Sequence, residues 1–308
     1  MSVTSAHHVE ITEVGMRDGF QMEARILSTD VKVAIGESLI RAGVKRLEAT
    51  SFVSPQAVPQ LADAAEVIGR LKGRGAILAA LIPNRRGALR AADAGVDEMV
   101  AFVSASEAHN RANLNRSIAE SLQALIEVAD IAGDRDIALC GSVATAFGCP
   151  FQGEVPIEDV LRVLETYAGL GIRDVALGDT TGMATPPNIE RLCAAIGERF
   201  PRLRLSLHLH NTRGLGLVNV LTGLRLGVAR FESSIGGLGG CPFATGATGN
   251  VCTEDLVYLL DELGVDSGIS LDALIETAHA VETLFGRTLP GQVMKAGPRL
   301  RTHNCPDL

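Results

Sequence analysis

The sequence contains no tryptophan and only 4% aromatic residues, so its interior cannot be filled by rings and falls to alanine, leucine, valine and glycine. It has no apolar run near the roughly 18 residues a membrane span needs. The longest, Ala76 to Ile82, is the size of a strand. No block of basic residues occurs: Lys plus Arg number 28 against 36 Asp plus Glu, a formal net charge of −8, which disfavours nucleic acid as a partner. The six cysteines, Cys140, Cys149, Cys193, Cys241, Cys252 and Cys305, form no Cys-x-x-Cys pair. Free thiols in a reducing compartment fit that spacing better than a disulfide scaffold or a zinc ribbon. Met1 to Glu10 lacks the positive charge and apolar stretch of a signal peptide, so the expectation is a cytoplasmic protein with no membrane association. What is abundant is apolar residues, at 46%, and glycine, at 33 residues, a composition suited to an α/β protein with many short connections.

Eight segments rich in apolar or β-branched residues are predicted as strands: Val9–Gly15, Lys45–Phe52, Ala76–Ile82, Glu98–Ser104, Asp136–Ala144, Arg173–Asp179, Arg202–His210 and Arg230–Ile235. Their starts are spaced widely enough for helical crossovers and too widely for hairpins, which makes the strands parallel. Between them, Val31, Ile35 and Leu39 repeat every four residues, Ile118, Leu122, Leu125 and Ala129 share a face, and Ser117 with Glu120 forms a capping box. Glycine sits just before four strands, in Ala42-Gly43-Val44, Ala94-Gly95-Val96, Leu170-Gly171-Ile172 and Leu226-Gly227-Val228, where a left-handed residue ends a helix. Eight repeated βα units predict a closed (β/α)8 TIM barrel over about residues 9–252. Additional C-terminal helices are expected at Thr253–Leu263 and about Leu271–Phe285, followed by a polar tail, the whole 1–308 forming a single catalytic domain.

In such a barrel the active site lies at the C-terminal ends of the strands. Five predicted strands run into polar residues there. The first leads to Arg17-Asp18-Gly19, the second carries Glu48, the sixth ends in Gly178-Asp179-Thr180 and the seventh in His208-Leu209-His210-Asn211. The eighth precedes Gly236-Gly237-Leu238-Gly239-Gly240-Cys241-Pro242 and Gly249-Asn250. Residues i and i+2 of a strand share a face, so His208 and His210 can bind one ion through two imidazoles. Asp18, adjacent around a closed barrel, adds a carboxylate and Asn250 an amide oxygen, a mixed set that suits Mg2+, Mn2+ or a catalytic Zn2+. The alternatives stay open at this level. The two strand histidines can instead merely satisfy core hydrogen bonds, Arg17 and Glu48 equally form a rim ion pair, Asp179 equally caps the next helix, and Cys241 can be an ordinary small apolar side chain. The glycine-rich segment lacks the lysine of a P-loop and reads as a lid.

Several stretches resemble the 3-hydroxy-3-methylglutaryl-CoA lyases, metal-dependent TIM-barrel enzymes: Val9–Glu23 (VEITEVGMRDGFQME), Leu47–Pro59 (LEATSFVSPQAVP), Leu177–Gly182 (LGDTTG), His208–Asn211 and above all Gly237–Asp255 (GLGGCPFATGATGNVCTED). The resemblance runs in order along nearly the whole chain. It implies metal ligands at Asp18, His208, His210 and Asn250, an enolate-stabilising arginine at Arg17, an active-site acid at Glu48, a conserved aspartate at Asp179 and a loop cysteine at Cys241. The implied general base is Asp18 or His208. It further implies a divalent cation as cofactor (Mg2+ or Mn2+, with Zn2+ an option in a crystal), an acyl-CoA thioester as partner, a homo-oligomeric dimer and a place in leucine catabolism. Coenzyme A phosphates need local positive charge on an acidic protein, which Arg85 and Arg86 after the third strand and Arg111 after the fourth supply.

Two places depart from the family pattern: Asn211-Thr212-Arg213-Gly214 replaces an aspartate followed by Thr-Tyr-Gly, and Thr145 stands where members tend to carry cysteine. The implied activity is retro-Claisen cleavage of 3-hydroxy-3-methylglutaryl-CoA. Its rivals are cleavage of citramalyl-CoA or of a longer-branched 3-hydroxyglutaryl-CoA, the reverse Claisen condensation, and a noncatalytic acyl-CoA-binding barrel.

Overall fold

The computed structural model describes residues 7–240 and 249–302. Among them, eight parallel strands close into a barrel in sequence order, from β1 beside β2 round to β8 beside β1. The strands are β1 (Glu10–Glu13), β2 (Arg46–Ser51), β3 (Ile77–Ile82), β4 (Glu98–Ser104), β5 (Ala138–Ala144), β6 (Asp174–Gly178), β7 (Arg204–His208) and β8 (Arg230–Ser233). Each lies within a segment expected from the sequence, shortened at one or both ends or matching it, because flanking residues leave the ladder to form turns. Outside the barrel run α1 (Thr29–Arg41), α2 (Ala64–Leu71), α3 (Arg85–Ala94), α4 (Glu107–Leu114), α5 (Ile118–Asp134), α6 (Ile157–Gly169), α7 (Pro186–Arg199) and α8 (Gly216–Arg225). The closed (β/α)8 barrel is thus the observed architecture.

Local chemistry sets the element ends. Ser28, Asn84, Ser106 and Ser270 each accept a backbone N–H as helix N-caps, and Ser117 with Glu120 makes the reciprocal capping box. The four glycines before strands all have positive φ, from 79° at Gly171 to 110° at Gly43, which lets the chain leave a helix and return to the barrel. α9 (Thr253–Leu263) and α10 (Leu271–Phe285) have the bounds the sequence suggested, and α10 packs against α1. A short α11 (Val293–Ala296) was not anticipated in the polar tail. Val293 and Met294 are buried there, and Asp255 holds the turn by accepting the N–H groups of Gln292 and Val293.

The N-terminal end of the barrel is closed by ion pairs. Arg46 binds Glu10 and Glu98, and Arg230 binds Asp174 and Glu10. With that end sealed by charge and apolar side chains packed between barrel and helices, the open space lies at the opposite end, where the strands finish. No helix among the described residues is long and apolar enough to cross a membrane.

Candidate active site

A cavity of about 700 Å3 opens at the C-terminal ends of the strands, lined by Arg17, Asp18, Glu48, His208, His210 and Glu232 on one side. Leu81, Val100, Phe102, Leu114 and Val53 form its apolar wall. Asp18 sits on a single wide helical turn, Gly15–Gly19, that follows β1 and turns the chain over the mouth. His208 ends β7 and His210 lies just beyond it, bridged to Asn250. The two imidazole Nε2 atoms are 3.2 Å apart. One ligand atom each from Asp18, His208 and His210 falls within 4.8 Å of the others. The sequence pattern therefore does bring these three side chains together. It misplaces one neighbour, since β8 lies between β7 and β1.

That intervening strand contributes Glu232, which sequence reasoning missed. It is directly in register with His208 on β7, and its Oε2 lies 2.9 Å from His208 Nδ1. A carboxylate there fixes the ring and leaves Nε2 beside His210 Nε2, on the side of the Asp18 cluster, the usual arrangement behind a metal-binding histidine. The signal was present: a lone glutamate between apolar and small residues in a strand opposite the histidine.

Arg17 donates to Asp18 Oδ1 at 2.6 Å and to Glu48 Oε2 at 3.0 Å, while its Nε is buried with no acceptor. Burial opposes the ionisation of Asp18, but Arg17 and the two histidines outweigh it and hold the carboxyl below its ordinary range. Burial dominates at Glu48 and pushes its carboxyl up despite Arg17. Two carboxyls on one guanidinium are thus driven apart, one ionised and one protonated more readily than usual. The rim ion pair expected of Arg17 and Glu48 is present, and Arg17 also borders the cavity.

Asn250 is buried, and its Nδ2 donates to Asp18 Oδ2 at 2.7 Å and to the Leu238 carbonyl at 3.0 Å. Its Oδ1 is buried without a hydrogen-bond partner, the position of a spare oxygen donor beside the carboxylate. Two imidazole nitrogens, an ionised carboxylate and an amide oxygen fit a divalent cation that keeps open positions for substrate.

The remaining expected residues are placed more variously. Asp179 is buried at the end of β6, where Oδ1 accepts the N–H groups of Met183 and Ala184. It shapes the β6–α7 turn, and burial pushes its carboxyl up to about 6. Its neighbour Thr180 lines the cavity instead. Arg85 and Arg86 border a second, shallower recess of about 840 Å3 beside the mouth, and Arg116, which sequence reasoning missed, borders both recesses. Arg111 pairs with Glu107 one helical turn away and borders neither. Cys241 lies outside the described residues. Of the departures from the family pattern, Arg213 binds the carbonyls of Thr181 and Gly182, and Asn211 accepts the Gly216 N–H. Both brace loops. Thr145 is fully buried at φ 56°, and its N–H donates to Thr180 Oγ1.

Comparison with known proteins agrees with this geometry. The model of the HMGL-like family matches residues 8–281. A hydroxymethylglutaryl-CoA lyase of Bacillus subtilis is 41% identical over 92% of this chain and 95% of its own length. An (R)-citramalyl-CoA lyase of Chloroflexus aurantiacus is 42% identical over 94% of this chain and 95% of its own. Among solved structures, an HMG-CoA lyase from Acinetobacter baumannii in complex with coenzyme A and 3-methylmalate superposes with a TM-score of 0.93 at 42% identity, covering 97% of this chain and 98% of that one. The chain belongs to the HMGL-like family.

Proposed function

We propose that the protein is a divalent-metal-dependent carbon–carbon lyase that cleaves 3-hydroxy-3-methylglutaryl-CoA to acetoacetate and acetyl-CoA. The observation that carries this reading is the convergence of Asp18, His208 and His210 beside the Arg17–Glu48 pair. Asp18, His208, His210 and Asn250 would hold Mg2+ or Mn2+, which when bound lowers the pKa of the substrate's tertiary hydroxyl. Asp18 then takes the hydroxyl proton; His208, whose Nδ1 is held by Glu232, can serve as the base only before its Nε2 is coordinated. The bond between carbons 2 and 3 breaks, carbon 3 becomes the ketone of acetoacetate, and its electron pair forms the thioester enolate.

Arg17 is placed to receive that charge. Its Nε–H has no acceptor, so one donor remains for the enolate oxygen while the other nitrogens stay on Asp18 and Glu48. Glu48 sets the guanidinium and supplies an acid at the wall. Cys241, which follows Gly239-Gly240 in the sequence, is the candidate donor of the proton that turns the enolate carbon into the methyl of acetyl-CoA. Arg86 and Arg116 offer coenzyme A phosphates positive charge in the adjoining recess, as does Arg85, although Glu127 pairs with it at 3.8 Å. Arg111 is a weaker candidate because Glu107 neutralises it. Asp179 acts on substrate only through the turn it holds.

A second reading has its own support: citramalyl-CoA cleavage to pyruvate and acetyl-CoA uses the same bond chemistry. One relative carries that name. A panel of 3-hydroxyacyl-CoA thioesters with methyl and longer branches, assayed with Mg2+ or Mn2+ for acetyl-CoA and the keto acid, decides between them. Highest kcat/KM on 3-hydroxy-3-methylglutaryl-CoA is expected. Release of acetyl-CoA from citramalyl-CoA alone reassigns the substrate, and no release from any thioester overturns the activity.

A further inference from the structure

Behind the ligands, three chain segments meet at one carboxylate. Glu13, the last residue of β1, is completely buried. Its Oε1 accepts the backbone N–H of Gly15 at 2.8 Å and of Ile235 at 2.9 Å, and its Oε2 accepts the Thr253 hydroxyl. Thr253 Oγ1 also lies 2.9 Å from Ser233 Oγ. Each partner begins a functional segment. Gly15 opens the turn bearing Arg17 and Asp18, Ile235 opens the turn into Gly236–Gly240, and Thr253 begins α9 just after Asn250. The packing is tight: a Cβ at Gly15 would stand 2.6 Å from Glu13 Oε1.

We propose that Glu13 is a positioning residue that fixes Asp18, Asn250 and the root of the glycine-rich loop relative to one another without touching metal or substrate. The proposal rests on Asp18 and Asn250 being metal ligands. These two come from segments far apart in the chain, and His208 and His210 lie at and just beyond the end of β7, which does not pair with β1. The Asn250–Asp18 hydrogen bond links the two segments at the ligands themselves, and Glu13 ties them a second time behind the site. Without the carboxylate, two buried N–H groups lose their acceptor and both turns must rearrange to find another. Glutamine preserves the set, because its carbonyl accepts both N–H groups and its amide donates to Thr253 Oγ1, whose own proton turns to Ser233. Burial pushes Glu13 up to about 7, and the same three partners are served in either protonation state.

The test uses the metal-free protein for hydrogen–deuterium exchange and then Mn2+ alone for calorimetry, on wild type, Asp18→Ala, Glu13→Ala, Glu13→Gln and Thr253→Val. Wild type should bind one Mn2+ and Asp18→Ala should not. If Asp18→Ala binds as wild type does, the ligand assignment fails whatever Glu13 does. In Glu13→Ala the Gly15 and Ile235 amides should exchange faster, and Mn2+ should bind about tenfold or more weakly, as for other groups that support ligands from behind. Glu13→Gln should bind Mn2+ nearly as wild type does, because its hydrogen-bond partners are kept. If Glu13→Ala does not fold, Thr253→Val releases only the α9 arm and should still weaken Mn2+ binding. A Glu13→Ala or Thr253→Val protein that melts lower yet binds Mn2+ as tightly as wild type overturns the proposal, as does a Glu13→Gln protein as impaired as Glu13→Ala.

Discussion

Arg17 illustrates how one side chain serves two ends. Its bonds join Asp18 and Glu48, and its buried Nε–H has no acceptor, the donor proposed above for the enolate oxygen. Because the charge it meets exists mainly in the transition state, Arg17→Gln should lower kcat by a factor on the order of 10² to 10³ while changing KM far less. Steady-state kinetics on the folded variant checks this, and an unchanged kcat would leave Arg17 a structural partner only. Lysine should restore little, since a compact ammonium on a flexible stem does not reproduce the fixed planar fork that reaches Asp18 and Glu48 on different nitrogens. At this scale the sequence was most legible where residue type and spacing carry chemistry. The two histidines and the Arg-Asp pair are such cases. Glu232 and Glu13 escaped notice because a single glutamate in a strand has no pattern, and only register and closure show what it faces.

Among the elements, the strands and helices were readable because glycine stops, serine caps and apolar periodicity agree with one another. The contacts of Asn250 with the Leu238 carbonyl and with Asp18 join residues far apart in the chain, which local pattern does not encode. Arg116 was passed over for a similar reason. It follows α4 in a polar stretch, and only the packing of α3 beside α5 puts it between the two recesses. At the start of α9, burial pushes Glu254 up to about 8, while its Oε2 holds the Gly236 N–H at 3.0 Å. The folded state therefore binds a proton that the unfolded chain releases above about pH 4.5. This contribution to stability is present at low pH and is lost as pH rises towards 8. His109 acts in the opposite sense, since burial lowers it to about 4 and its contribution is lost as pH falls below 6.5. Melting temperature should thus fall between pH 6.5 and 8, and Glu254→Gln should flatten that limb. Thermal denaturation across the range measures both, and an unaltered slope in the variant would assign the loss to other groups.

For the molecule as a whole, a barrel sealed at one end by ion pairs leaves its strand ends to carry chemistry. The cation reading predicts that binding and catalysis rise together. The decisive measurement titrates Mn2+ into chelator-treated enzyme while following acetyl-CoA release from 3-hydroxy-3-methylglutaryl-CoA, with Asp18→Ala alongside. Activity should be absent without metal, saturate with the same midpoint as Mn2+ binding, and stay near background in the variant at every concentration. Undiminished acetyl-CoA release in excess chelator, or a variant as active as wild type, would contradict the account.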